Sequence, residues 1–121
     1  GNDITARDLQ TSDKQWARAK GFDSFCPLGP WIVTHLSLDE ASDLQVTTTV
    51  NGELKQDGRT SDMVQGIAEL IEYVSGFTTL LPGDVILTGT PAGVGPLQPG
   101  DQVAVTVEGI GTLTNPVVAE N

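Results

Sequence analysis

Residues 44–56 read LQVTTTVNGELKQ, and the order of those thirteen residues carries the fold class. Leu44, Val46, Thr48 and Val50 fall on one side of an extended chain. Gln45, Thr47 and Thr49 fall on the other, which is the period of a half-buried strand. Asn51-Gly52 follows at once, and this dipeptide tolerates the positive φ of a type I′ turn. The chain therefore reverses there into a return strand, Glu53–Gln56.

The same rules extend outward from the hairpin. Downstream, Ser61 is placed to cap an amphipathic helix over 62–75. Its Met63, Val64, Ile67, Leu70, Ile71 and Val74 recur at helical spacing and are expected to face the core. After the turn at Leu81-Pro82-Gly83-Asp84 comes a short apolar strand, 85–88. Val103, Val105 and Val107 then alternate in another. Leu113–Val118 makes a last strand, at an edge because Pro116 cannot donate to a ladder. Upstream, residues 5–19 read as a helix or irregular helical turn with Thr5 or Asp3 as cap. Pro27 and Pro30 break the chain before an apolar strand, Trp31–Thr34. Six or so short strands with one or two helices describe a mostly-β, α+β domain. The 14 Gly and 7 Pro supply the turns that such an arrangement needs. At 121 residues, with no repeat or linker, the chain is one domain's worth, and it reads as beginning inside a domain.

Charge narrows the partners. A net charge of −10 argues against nucleic acid or an anionic membrane surface. No apolar run approaches the roughly 20 residues that span a bilayer, and no charged-then-apolar leader is present, so a soluble, cytoplasmic protein is expected. Cys26 is the single cysteine, cannot form an intramolecular disulfide, and reads first as a small buried residue. Four of the six basic residues, Arg7, Lys14, Arg18 and Lys20, fall in the first twenty positions, as an acidic protein that binds a small anion requires. Lys14 and Arg18 read first as solvated helix-face residues.

Three segments hold candidate chemistry. GNDITARDLQ, residues 1–10, gathers Asp3, Arg7, Asp8 and Gln10. A carboxylate suits a hard divalent cation, and an arginine forks onto a substrate carboxylate. On its own, the i, i+4 spacing of Asp3 and Arg7 reads first as a helix ion pair. Lys20 lies where helix gives way to a Pro-punctuated loop, and an ammonium there can polarise a carbonyl or stabilise an enolate. A surface lysine is the plainer reading. LTGTPAGVGP, residues 87–96, lacks the Gly-Lys-Ser/Thr ending of a phosphate loop, and its prolines prevent a helix from opening there. It presents the Thr88 and Thr90 hydroxyls after a strand, or it is a structural turn whose glycines supply unusual backbone angles. His35, the only histidine, has no nucleophile motif to serve and reads as a strand-end residue. Asp39, Glu40 and Asp43 lack calcium-loop spacing and read as a solvated turn.

Taken in order, NDITARDLQ, AKGFDSFCPLGPWIV, VNGELKQDGRTSDM and LLPGDVILTGTPAGVGPLQPGD resemble the C-terminal catalytic domain of the fumarylacetoacetate hydrolase family over almost the whole chain. Within it they are most similar to acylpyruvase and 2-hydroxyhepta-2,4-diene-1,7-dioate isomerase members. The resemblance implies a mixed β-sandwich roll with one or two helices. It implies that residues 1–121 are the C-terminal portion of the catalytic domain, with a Glu-x-Glu metal motif and a lid carrying acid/base residues lying upstream. It makes Asp3 a ligand of Mg²⁺ or Mn²⁺, Lys20 the active-site lysine, and Arg7, Gln10 and Thr90 substrate-contacting residues. His35 does not match the family's acid/base histidine. The implied substrate is a small 2-oxo or 2,4-dioxo acid, hydrolysed or isomerised through a metal-stabilised enolate, and the implied assembly is a homodimer. Oxaloacetate decarboxylation within the same family, or a non-catalytic β-rich binding or assembly domain, are the alternatives.

Overall fold

Asn51 and Gly52 reverse the chain with φ of 53° and 82°, as the dipeptide predicts. The computed structural model describes residues 1–119. The turn joins β1, Gln45–Val50, to β2, Glu53–Arg59, which runs three residues past the expected return strand. Two further strands, β3 (Gln102–Val107) and β4 (Gly111–Pro116), complete one antiparallel sheet in the order β2-β1-β3-β4. Thr48 sits opposite Gln56 on one side and Val105 on the other. The turn is fastened to β3 by its own side chain. Asn51 Oδ1 accepts from the Gln102 amide at 2.9 Å, and its Nδ2 donates to Asp101 Oδ1 at 2.7 Å.

The core lies on the sheet face that the alternation selects. Val103 and Val105 of β3 are buried, and Thr48 of β1 lies beside them. The opposite end of the hairpin is held by charge. Arg59 Nε donates to Asp43 Oδ1 at 2.6 Å and Arg59 Nη2 to the Asp43 carbonyl at 2.7 Å, while the Arg59 amide donates to Asp62 Oδ2. The Arg59 guanidinium and the Ser61 hydroxyl, in that order, hold the Asp43 carboxyl below the usual range. The edge position expected for the last strand holds, with Pro116 at its end.

Several elements differ from expectation, each for a physical reason. The mostly-β, α+β class holds, but with four strands instead of six or so. Among the described residues every ladder is antiparallel. Residues 31–34 join no ladder because the segment is anchored by a side chain. Trp31 Nε1 donates to the Ile110 carbonyl at 2.7 Å, and its ring lies where a Cβ on Gly111 would stand. Residues 85–88 join no ladder, with Val85 and Leu87 exposed. His35 lies at an exposed bend instead of a strand end. Cys26 is exposed, not buried.

The helices are shorter and more numerous than expected. The 5–19 region splits into α1, Arg7–Ser12, and α2, Ala17–Lys20. Neither Thr5 nor Asp3 caps α1, whose N-cap is Ala6, because residues 2–6 are drawn into an extended run. Arg18 stays solvent-exposed, as expected, and makes a two-pronged bond to Asp13, at 2.7 and 2.6 Å, bridging the break between α1 and α2. The acids at 39–40 are not a loose turn but α3, Leu38–Ala41, closed by a reciprocal Ser37–Glu40 capping box.

The amphipathic helix begins five residues late, as α4, Ile67–Ser75, with Gly66 at its N-cap instead of Ser61. Thr60–Asp62 forms a 3₁₀ turn that closes back on Arg59, so the chain is not free to start a helix at 62. The apolar stripe is present but only partly covered, with Met63, Ile67, Leu70 and Val74 half-buried. Val64 is fully exposed, Ile71 is exposed, and no residue of α4 is buried, because no strand packs closely against it.

Candidate active site

Residues 2–6 run extended beside residues 19–27. The amides of Asn2, Ile4 and Ala6 donate to the carbonyls of Pro27, Phe25 and Ala19 at 3.0, 2.9 and 2.9 Å. Alternation along that run puts Asp3 and Thr5 on one side. Lys20, the last residue of α2, reaches both: Nζ lies 2.6 Å from Asp3 Oδ2 and 3.0 Å from Thr5 Oγ1. The neighbouring Ala19 is wholly buried, which fixes the base of α2 and with it the direction of the lysine. Thus Lys20 is tethered by Asp3 and Thr5, not left as a free surface lysine. The Asp3–Arg7 ion pair suggested by their spacing is not formed. Asp3 precedes the helix, and Arg7 Nη1 donates to Gln10 Oε1 instead.

The Gly-rich segment is fastened to β2. Gln56 Nε2 donates to Thr90 Oγ1 at 2.8 Å and to the Pro91 carbonyl at 2.7 Å. Two glycines make the approach possible. A Cβ on Gly58 would lie 2.8 Å from Pro91 Cβ, and one on Gly93 would lie 1.9 Å from the Lys55 carbonyl oxygen. Gly93 also has a φ of 104°, which L side chains rarely adopt. The alternatives left open by the sequence are therefore not exclusive: the loop presents Thr90, and its glycines let it sit on the strand.

These two assemblies line one open concavity of about 2110 Å³, with Asp3, Arg7, Lys20 and Thr90 on its walls and Val103 and Val105 from the sheet beneath. Gln10 is outside that lining and reaches it only through Arg7. Thr5 and Gln56 also line it, and sequence reasoning assigns neither of them to a site. Thr5 is legible as the i+2 neighbour of Asp3 only when residues 2–6 are read as extended. Nothing in the sequence marks Gln56. Among the described residues, no three His, Cys, Asp or Glu side chains gather to hold a metal.

The family profile described as "Fumarylacetoacetate (FAA) hydrolase C-terminal" matches residues 1–118. The chain belongs to the fumarylacetoacetate hydrolase family. Among solved structures it is similar to the 5-carboxymethyl-2-hydroxymuconate delta-isomerase from Mycobacterium smegmatis, with 60% identity and a TM-score of 0.94 over 98% of this chain and 46% of that one. The 2-hydroxyhepta-2,4-diene-1,7-dioate isomerase from Mycobacterium marinum matches with 59% identity and a TM-score of 0.92, over 96% of this chain and 45% of that one. A curated relative, the oxaloacetate tautomerase YisK of Bacillus subtilis (strain 168), is 49% identical over 96% of this chain and 41% of its own length. The chain thus spans less than half the length of these family members. Among the described residues no helix is long and apolar enough to cross a membrane.

Proposed function

We propose that the site serves a divalent-metal-dependent enzyme that hydrolyses or isomerises small 2-oxo or 2,4-dioxo acids through an enolate. The observation that carries this reading is Lys20, held by Asp3 and Thr5 in the same concavity as Arg7 and Thr90. An ammonium has three N–H donors. Among the described residues two are used, one on Asp3 and one on Thr5, which leaves one for a ligand oxygen. That donor stabilises negative charge as it develops on the 2-oxo oxygen when a C–C bond cleaves or a proton shifts. The Arg7 guanidinium and the Thr90 hydroxyl hold the substrate carboxylate, with Gln10 steadying Arg7.

Asp3 supplies a hard-oxygen donor suited to Mg²⁺ or Mn²⁺, and such ions are commonly held by one or two carboxylates with water and substrate. When bound, the cation contributes Lewis-acid polarisation of the 2-oxo acid. The reading places the other ligands, an upstream Glu-x-Glu, and the acid/base residues outside these 121 residues. That the isomerase and tautomerase relatives are more than twice as long as the matched segment is consistent with such residues lying elsewhere in the protein. A cytoplasmic homodimer is part of the same proposal, and sedimentation of the full-length protein tests the assembly.

The two isomerase neighbours favour unsaturated 2-hydroxy acids such as 2-hydroxyhepta-2,4-diene-1,7-dioate, and the motif resemblance adds acylpyruvates and fumarylpyruvate. The oxaloacetate tautomerase relative favours a second reading, in which oxaloacetate is tautomerised or decarboxylated through the same enolate. Assay of full-length protein on these acids with Mg²⁺, Mn²⁺ or chelator separates the two. Absence of metal-dependent turnover on all of them would favour a non-catalytic binding domain.

A further inference from the structure

We infer that Gln56 is a positioning residue that fixes Thr90 as a hydrogen-bond donor toward an anionic ligand. The inference rests on the proposed role of Thr90 in holding a substrate carboxylate. Its starting point is the amide's own chemistry. A carboxamide has two N–H donors on nitrogen, and its oxygen can only accept. The Pro91 carbonyl also only accepts, so the end of Gln56 that faces it at 2.7 Å must be the nitrogen. The same nitrogen lies 2.8 Å from Thr90 Oγ1. Its two hydrogens serve these two acceptors, so the Thr90 oxygen accepts from Gln56. The hydroxyl proton must then point elsewhere, and the hydroxyl belongs to the wall of the concavity that holds Lys20 and Arg7. A hydroxyl that accepts one hydrogen bond is also a stronger donor of the next.

The arrangement is built, not incidental. The β1–β2 register shifts between Thr48 and Thr49, so that Gln56 faces Thr48 while Leu54 faces Thr49, and Lys55 is the extra residue. A bulge of this kind re-aims the side chains beside it. Here it also turns the Lys55 carbonyl against Gly93, at a distance no side chain could share. Gly58, two residues after Gln56, receives Pro91. The loop is therefore seated on β2 immediately after Thr90, and the Gln56 bonds to Thr90 and Pro91 join those contacts. A glutamate at position 56 would invert the polarity. Its oxygens would accept the Thr90 proton that the ligand needs, and its charge would face the Pro91 carbonyl. A leucine would simply delete the donor.

The test is steady-state kinetics on the full-length enzyme with Mg²⁺ and an acylpyruvate or oxaloacetate. Gln56→Glu is expected to raise KM by about 10-fold or more, the scale of a lost hydrogen bond to a charged group, with kcat changed by less than about 3-fold. Gln56→Leu is expected to raise KM by about 3-fold to 10-fold, and it stands in should the glutamate variant not fold. Thr90→Val should raise KM comparably, and either Gln56 change made in the Thr90→Val background should add little, because the two residues act as one unit. A merely structural Gln56 would instead give losses that multiply, or a fall in kcat at constant KM, and either result overturns the inference. Wild-type protein that turns over no 2-oxo acid overturns the functional reading and this inference with it. An active wild type with unchanged KM in both Gln56 variants overturns this inference alone.

Discussion

Lys20 Nζ and Asp3 Oδ2 lie 2.6 Å apart across a sequence separation of seventeen residues. The pair is partly exposed, with side-chain exposures of 29% and 38%, so screening limits its worth to about 1 kcal/mol of stability or less. A catalytic role makes a different demand. Lys20→Ala in the full-length enzyme is expected to lower kcat by about 10²–10³-fold while shifting the melting temperature only slightly. Asp3→Ala should likewise remove metal-dependent turnover. Wild-type rates in both variants would refute the site assignment.

Two glycines of the Thr90 loop differ in a way that melting curves can read. Gly89 has a φ of 129° and nothing within 4 Å of the place a Cβ would take, so Gly89→Ala meets backbone strain alone, about 1–2 kcal/mol. Gly93→Ala meets similar strain plus the Lys55 carbonyl at 1.9 Å, and should cost about 3 kcal/mol or more. Equal losses in chemical denaturation would mean that the loop is not seated on β2 as described.

The hairpin turn separates backbone preference from side-chain bonding. Asn51→Gly keeps the positive φ but loses the bonds to Gln102 and Asp101, and is expected to destabilise by about 1 kcal/mol. Asn51→Ala loses the bonds and also strains the turn, for about 2 kcal/mol or more. If the glycine variant matched wild type, the side-chain bonds would be shown to contribute nothing.

Acid should loosen the clasp at the other end of the hairpin. The Asp43 carboxyl there is held below its usual range by Arg59 and then Ser61, and Asp101, at the turn end, is lowered likewise by the Gln98 amide and then Asn51. Because these values are lowered in the folded chain, the stability they contribute is complete above the ordinary aspartate range, near pH 4. It is lost as pH falls through the lower folded values. In urea denaturation the stability of Asp43→Asn should therefore lie below wild type at pH 7, with the gap narrowing as pH falls below the ordinary aspartate range. Parallel curves over that range would exclude the clasp as an acid-sensitive element.

The features legible in the chain share a local cause. The β1 alternation and the Asn51-Gly52 turn depend on neighbours only a few residues apart, so the hairpin, its register face and the edge placement of Pro116 follow from steric preference and period. The Ser37–Glu40 capping box is equally local, yet the acids beside it read first as a solvated turn. Four motifs in order carry the family resemblance, and with it Asp3, Lys20 and Thr90, although their contacts cannot be read from spacing.

What spacing does not supply are the contacts set by docking. Asp3 meets Lys20 and not Arg7 because residues 2–6 bond along residues 19–27 instead of entering the helix. Gln56 meets Thr90 across thirty-four residues because a bulge and two bare glycines let a loop settle on β2. The 62–75 stripe shows the same limit from the other side. Helical period correctly marks an apolar face on α4, but period says nothing about how fully it is covered, and here its residues are at most half-buried. Local sterics act through near neighbours and survive in any context, whereas the polarity of Thr90 and the aim of Lys20 depend on backbone hydrogen bonds between segments distant in sequence, which exist only once the chain has folded.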